Sequence, residues 1–450
     1  MSAALRQRLE RAIARHGVPG ASLALWHKQE LHEAAAGSAN LRAQIAATPD
    51  TLFQIGSITK LFTATLILGL AADGALALDQ PVAELLSGFA LADADAARQV
   101  TVRHLLCHSG GMDGDFFKPH GRGEDRIARY VADCRDLPQL HPPGALFSYC
   151  NSGYVILGRI IELLTGTHWD RALKERLLRP LGLRETKSLA EEAIRFRCAI
   201  GHAPHPDTGA MDITPIAYLA QSNAPAGSTV MATARDVIGF ARALFGMDGA
   251  LVPPLPAALV QDMQQPQIAV PPHYPMRHWG LGPKIFDWNG VRGFGHDGVT
   301  IGQQSFLRVI PERDLAIVLL TNGGDANGLY EDFIGALLSE LADIGLPRLP
   351  AAQPGAVTDR AVYTGTYEKL SARIHITEAD GALQSRSEVN IDFLGGFRPM
   401  TLRLEPVDAA LWLAPVPDSA MPYPIRFLDF GADGRPAYLH MGLRAYRRVA

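Results

Sequence analysis

Leu5, Leu9 and Ile13 recur at helical spacing within the polar stretch that begins the chain, which predicts an amphipathic first helix. ASLALW and the residues after it read as strands. The run SITKLFTATLILGLAADG is apolar on most faces and stops at Asp73-Gly74. That pattern predicts a helix buried at the centre of a domain. From about residue 76 to 200 the pattern is mostly helical, with long polar loops and a second strong helix at GYVILGRIIELLTG. Beyond about 225 the signals mix. TARDVIGFARALFG predicts a helix, and GFGHDG, IGQQSFLRVI and LAIVLLTN predict successive strands with a turn at Pro311-Glu312. DFIGALLSELADIG predicts a closing helix.

PRLPAAQPG then breaks the pattern, because clustered prolines and glycine without periodicity predict a linker. Past it, Ile374 and Ile376 alternate with polar neighbours, and Asp380-Gly381 and Asp433-Gly434 are hairpin turn signals. These features predict a larger first domain over 1–346, a linker over 347–355 and a small all-β domain over 356–450. No fixed-period repeat is visible.

With 450 residues and 47% hydrophobic content, the chain can bury a large core and hold more than one domain. Its formal net charge of -4 argues against nucleic acid as the main partner, since phosphate binding needs a basic surface. The four cysteines, Cys107, Cys134, Cys150 and Cys198, form no CxxC pair, so they indicate neither a zinc site nor a disulfide framework. Reduced thiols fit a cytoplasmic protein. The first residues contain no uninterrupted apolar segment of the signal-peptide kind. The apolar stretch from Leu61 to Ala72 is shorter than the roughly 20 residues a bilayer requires. The expectation is a soluble, cytoplasmic protein without a membrane anchor.

Three short segments carry candidate chemistry. In Ser57-Ile58-Thr59-Lys60 the spacing puts serine and lysine on one helical face. At the start of a helix, the Ser57 N–H can serve an oxyanion, and a desolvated lysine can act as base for the serine. In Tyr149-Cys150-Asn151 an extended backbone puts the first and third residues on one side, with Cys150 pointing away. In His296-Asp297-Gly298 a glycine lets an edge strand approach a substrate closely, and the Val299 N–H is a candidate second oxyanion donor. Each segment also has an ordinary reading by itself: a helix cap with a surface lysine, a buried tyrosine beside a turn asparagine, a core histidine. GFGHDG also matches GxGxxG, but strand-like residues follow it where a dinucleotide site requires a helix. His202, His205, His273 and His278 lack metal-site spacing and read as exposed loop histidines. Ser109 beside His108 is a poor nucleophile–base pair, since adjacent residues rarely face one another, and Ser148 is expected to point away from the site.

S-x-x-K, Y-x-N and H-x-G in this order, together with LFQIGSITKLFTATLILGLAADGALALDQPV, TVRHLLCHSGGM, PPGALFSYCNSGYVILGRIIE and PAGSTVMATARDVIGFARAL, resemble the class C β-lactamase-like branch of penicillin-recognising serine enzymes over residues 10 to 345. The resemblance implies a β-lactamase/transpeptidase-like fold of the α/β plus all-α class. Its α/β part would span about 1–75 and 205–346, its helical part about 76–204, with the site between them. YTGTYEKL onward resembles the lipocalin-like barrel attached to some members. The implied roles are Ser57 as nucleophile, Lys60 and Tyr149 as proton acceptors and relay, His296 as a catalytic residue that orients the acceptor or assists the relay, Asn151 in holding Lys60 and a substrate amide, and Gly298 with Val299 at the oxyanion. No metal or organic cofactor is implied.

One departure matters. Where β-lactamases and D,D-carboxypeptidases carry K-[TS]-G, this chain has His296, neutral near pH 7 unless shifted, so an anchor for a terminal carboxylate is weakened. H-x-G resembles D-aminopeptidases, certain esterases and the penicillin-binding-protein-type thioesterases that cyclise nonribosomal peptides. Three functions follow as expectations: a hydrolase of D-amino-acid amides, peptides or esters, a standalone thioesterase-cyclase served by a peptidyl carrier protein, or a β-lactam-binding module without turnover. Residues 112 to 142, polar with glycine and proline, either line the cleft mouth or are buried by helices.

Overall fold

The computed structural model describes residues 2–205, 207–247, 253–389, 399–416 and 422–449. Helix Ser2–Arg15 turns Leu5, Leu9 and Ile13 inward, against one face of a nine-stranded sheet. Across that sheet the strands run Ile45–Ala46, Glu30–Asn40, Gly20–His27, Leu315–Thr321, Gln304–Ile310, Val291–Val299, Lys284–Trp288, Met276–Trp279 and Ile268–Ala269. The first long strand pairs with the last, antiparallel, with Leu25 opposite Ile317 and Ala21 opposite Thr321. The two ends of the catalytic region therefore close one sheet.

Leu315–Thr321 is buried at every position. Alternate residues divide between two cores: Val318 and Leu320 join Phe62 and the helices on one face, while Ile317 and Leu319 join Leu9 and Leu338 on the other. A strand covered on both faces reads as an unbroken apolar run rather than an alternating one.

Helix Thr59–Ala72 is the buried helix the pattern predicts, with Phe62 stacked on Phe240 at 3.9 Å between ring centroids. Within it, an added Cβ at Gly69 would meet nothing closer than Leu255 Cδ2 at 4.0 Å. Gly69→Ala is therefore expected to raise stability by about 0.5–1 kcal/mol, through lower backbone freedom in the unfolded chain. Urea unfolding checks it, and an unchanged or lower midpoint would contradict it.

The region between 76 and 204 is mainly helical but also contributes strand Thr186–Lys187. That strand pairs with Met231–Ala232, which pairs in turn with Phe53–Gln54, just ahead of Ser57. Residues 347–355 form neither helix nor strand. Beyond them, eight antiparallel strands from Gly365–Lys369 to Arg444–Arg448 close a barrel, sealed by pairing of Tyr367 with Arg448. Tyr367, Ile374, Leu383, Trp412 and Phe427 fill its interior. At the Asp380-Gly381 turn both residues take positive φ, 50° and 68°, the conformation a two-residue hairpin loop needs. Among the described residues no helix is long and apolar enough to cross a membrane.

Candidate active site

Three glycines build the turn that holds Ser57. Gly56 has φ +50°, and a Cβ on it would lie 2.7 Å from Val299 N. A Cβ on Gly227, at φ +111°, would lie 2.2 Å from Gly56 O. One on Gly298 would lie 2.0 Å from Ile55 O. Only residues without a side chain allow three backbone segments to approach this closely. Ser57 consequently lies in a tight 3-10 turn, Gly56–Ile58, ahead of the α-helix that starts at Thr59, and not in the first α-helical turn. Gly298 also has a role beyond the expected one. Its strand runs between Gln304–Ile310 and Lys284–Trp288, but pairing with the latter ends at Gly295, so Gly298 keeps one unpaired edge at the cleft, and its missing side chain in addition makes room for the Ile55 carbonyl. The same packing sets the Val299 amide against the Ser57 turn, while the Val299 side chain is exposed.

Lys60 is fully buried. Its Nζ lies 3.0 Å from Ser57 Oγ, 2.7 Å from Asn151 Oδ1 and 2.6 Å from the Ala226 carbonyl oxygen. Burial, then the positive charge of Arg444, hold its pKa well below the usual lysine range. A neutral amine has two N–H bonds and one lone pair. The two closest partners can only accept, whereas the Ser57 hydroxyl can also donate. The neutral lysine thus donates to Asn151 and Ala226 and directs its lone pair at the Ser57 proton, the arrangement of a base beside its nucleophile.

Tyr149 and Cys150 are extended, and Asn151 begins helix Asn151–Thr165. Cys150 Sγ points to that helix start and accepts from Gly153 N at 3.3 Å. Burial raises the Tyr149 pKa, an effect its hydrogen bond with the Ser57 side chain opposes, so the phenol keeps its proton at neutral pH. Asn151 links two groups: its Oδ1 accepts from Lys60, and its Nδ2 donates to Asp115 Oδ1 at 3.0 Å.

His296 is buried with its Nδ1 2.6 Å from the Asp297 carbonyl oxygen. Burial, then Lys284 and Lys60, hold its pKa well below the usual range. The ring is therefore neutral, Nδ1 donates, and Nε2 is left as an acceptor. Asp297 projects to the other face of the strand and pairs with both Lys284 and Arg308.

The other sequence candidates resolve as follows. His202 is not an exposed loop residue: it is buried, with Nδ1 donating to Asn322 O at 2.9 Å and Nε2 accepting from Leu41 N at 3.1 Å. His273 is likewise buried, against Tyr274. His205 is exposed, and His278 sits half-buried on a strand. Among the described residues no group of His, Cys, Asp and Glu is placed to hold a metal. Ser109 Oγ meets Cys107 Sγ at 3.2 Å, whereas His108 Nδ1 accepts from Cys150 N at 3.0 Å and its ring backs Tyr149 at 4.2 Å. Ser148 Oγ accepts from Ala445 N in the barrel. The 112–142 segment divides: Phe117 lines the cleft, Asp113 is buried and Asp115 half-buried, and helix Arg126–Asp133 packs inward through Ile127 and Tyr130.

The cleft above Ser57 has a volume of about 1110 Å³. Tyr149, Asn151 and His296 form its floor, Phe286 and Trp288 one side, and Leu443 and Arg444 of the barrel another. The barrel is part of the site's wall. Its Leu443 carbonyl accepts from Tyr149 N at 2.8 Å, and Arg444 and Lys369 both pair with Asp115.

The β-lactamase family profile matches residues 5–339. Penicillin-binding protein 4 of Amycolatopsis lactamdurans is 42% identical over 370 residues, 81% of this chain and 97% of that protein. Among solved structures, SurE superposes with a TM-score of 0.82 at 29% identity, covering 100% of this chain and 99% of that one. The D-amino acid amidase of Ochrobactrum anthropi SV3 superposes with a TM-score of 0.60 at 28% identity, over 72% of this chain and 91% of the other. With Ser57 at the cleft and the buried Lys60 and Tyr149 beside it on this fold, the chain belongs to the β-lactamase and penicillin-binding-protein family of serine hydrolases.

Proposed function

We propose that this chain forms an acyl-enzyme on Ser57 and acts on amide, ester or thioester bonds of peptide-like substrates that contain D-residues. The observation that carries the reading is the desolvated Lys60 amine, 3.0 Å from Ser57 Oγ and held by two further acceptors. In the first half-reaction Lys60 takes the Ser57 proton as Oγ attacks the carbonyl carbon. The Ser57 and Val299 amides receive the oxyanion, and such a donor is worth about 2.7–4 kcal/mol. Tyr149, still protonated, passes its proton to the leaving group and recovers from Lys60 the proton that Lys60 took from Ser57. Water or an amine then attacks the acyl-enzyme, with His296 Nε2 as the acceptor that orients it. No cofactor takes part.

Substrate class follows from the cleft and from relatives. Lys284 and Arg308, on the two strands that flank the H-x-G strand, are both engaged by Asp297. This favours an acyl donor without a free terminal carboxylate, such as a thioester or amide. SurE was also solved with D-Leu, and the amidase relative with D-phenylalanine. A second, narrower reading is a thioesterase that macrocyclises a peptide delivered by a peptidyl carrier protein. It is favoured by the H-x-G motif at His296 and by a match along the whole chain, barrel included, to a solved structure also determined with D-Leu. Four free cysteines support a reducing, cytoplasmic setting.

The test is mass spectrometry of products from a short peptidyl thioester ending in a D-residue. The expected result is a product lacking one water relative to the free acid, or the linear acid, and none from Ser57→Ala. The cyclic product selects the cyclase, the linear acid the hydrolase, and a β-lactam adduct without turnover a binding module. Turnover retained in a folded Ser57→Ala protein would sink all three.

A further inference from the structure

The barrel reaches the proton acceptor through four residues. Lys60 Nζ donates to Asn151 Oδ1 at 2.7 Å, and Asn151 Nδ2 donates to Asp115 Oδ1 at 3.0 Å. Asp115 in turn receives Lys369 Nζ at 2.7 Å and Arg444 Nε and Nη2 at 2.7 and 3.0 Å. Lys369 ends one barrel strand and Arg444 begins its hydrogen-bonded neighbour, so both cations project from the same end of the barrel. All three charges are withdrawn from water: side-chain exposures are 9% for Asp115, 5% for Lys369 and 26% for Arg444. The docking is held by backbone as well. Leu370 N donates to Asp113 Oδ2 at 2.6 Å, and Tyr149 N to Leu443 O at 2.8 Å. Arg444 also lies over the Tyr149 ring, 5.1 Å from its centroid.

We propose that Lys369 and Arg444 are positioning residues of the active site, acting through Asp115 and Asn151 to keep Lys60 oriented and uncharged. The inference rests on Lys60 being the base. Lys369 and Arg444 share the Asp115 carboxylate, with the Asp113 carboxyl beside them, and the Arg444 guanidinium over the Tyr149 ring is the member of this cluster turned toward a lysine that must not hold a proton. Coulomb repulsion in a poorly hydrated region disfavours the ammonium form. The Arg444 charge is indeed the next influence after burial in lowering the Lys60 pKa, with Asp115 opposing it. The other groups facing Lys60 are Ser57, Tyr149, Tyr154, Cys150, His108 and His296. The phenols and the thiol have raised pKa values and the two imidazoles depressed ones. All five stay neutral near pH 7, leaving this cluster as the charge source. Asp113 has its own pKa raised by burial.

The experiment is the pH dependence of single-turnover acylation of the full chain by an activated aryl ester of an acyl-D-amino acid. Acylation needs uncharged Lys60, so its rate rises with pH through the Lys60 pKa. Removing one cation stabilises the ammonium and must move that rise upward. Arg444→Gln is expected to move the acid limb up by about one unit and Lys369→Met to move it up by less, with the high-pH plateau within a few-fold of wild type. Arg444→Lys should keep the limb near its wild-type position. Lys369→Gln gives a second reading should Lys369→Met fail to fold. A plateau that falls with an unmoved limb would overturn the inference and leave the two cations as docking groups alone. If Lys60→Met keeps the wild-type limb, the assignment of Lys60 as base is what fails.

Discussion

Lys60→Met is expected to lower the rate of Ser57 acylation by a factor on the order of 10²–10⁴, the range general-base catalysis supplies. The chain should remain folded. Methionine fills a similar volume and removes the cost of keeping an amine out of water. Against that gain, Asn151 Oδ1 and the Ala226 carbonyl each lose a donor at 2.7 and 2.6 Å. Each acceptor left unpaired costs about 1–3 kcal/mol unless water enters. The two effects oppose, so the melting temperature should shift by a few degrees rather than collapse. No other group near Ser57 matches the amine as a base: the Tyr149 phenol is held protonated by burial, and burial with the Lys284 charge holds the His296 pKa well below the usual range, leaving its free Nε2 weakly basic. Single-turnover acylation with a thermal melt on the same sample checks this. A rate within a few-fold of wild type would move the base to another residue.

The parts of this site that the sequence discloses are those whose chemistry is local. Ser57 and Lys60 are one helical step apart, and the tripeptides around Tyr149 and His296 each set their own backbone, so short motifs carry them. The central strand Leu315–Thr321 is legible because burial on both faces removes every polar position from it. The Asp380-Gly381 turn is legible because few residues accept positive φ. Asp115, Lys369 and Arg444 leave no such trace. Lys369 stands at a strand end with the pattern of an ordinary surface lysine, and Asp115 lies in a polar segment that reads as loop. Their meaning comes from two folded units meeting, which no window of sequence contains. The buried His202 and His273 escape for a related reason. A neutral imidazole is stable either in water or in a hydrogen-bonded core, and only the tertiary environment decides between them. At Gly298 the motif is visible but its cause is not: the nearest atom, Ile55 O, belongs to a segment far away in the chain.

That contact carries the second large effect. Gly298→Ala puts a methyl group 2.0 Å from Ile55 O and 2.4 Å from Ser305 Oγ. Ser305 Oγ cannot step aside freely, because it donates to the same Ile55 oxygen at 2.7 Å. Ile55 itself is fixed by its N–H to Val230 O at 3.1 Å and by the turn N–H of Ile58. Strand and turn must therefore separate, at a cost of about 1–3 kcal/mol, the usual range for overpacking. The catalytic loss should be larger than the stability loss suggests. Gly56 and Val299 share this packing, so the separation moves the Ser57 turn relative to the Val299 amide. Misplacement by about 1 Å costs roughly 10²-fold in rate. Gly298→Ala is thus expected to remain folded at moderate temperature, with Lys60 still beside Ser57, yet to acylate about 10²-fold more slowly. The two losses separate by titrating urea stability and acylation rate in parallel. A variant that acylates at the wild-type rate despite lower stability would remove Val299 from the oxyanion site and leave Ser57 N–H to act without it.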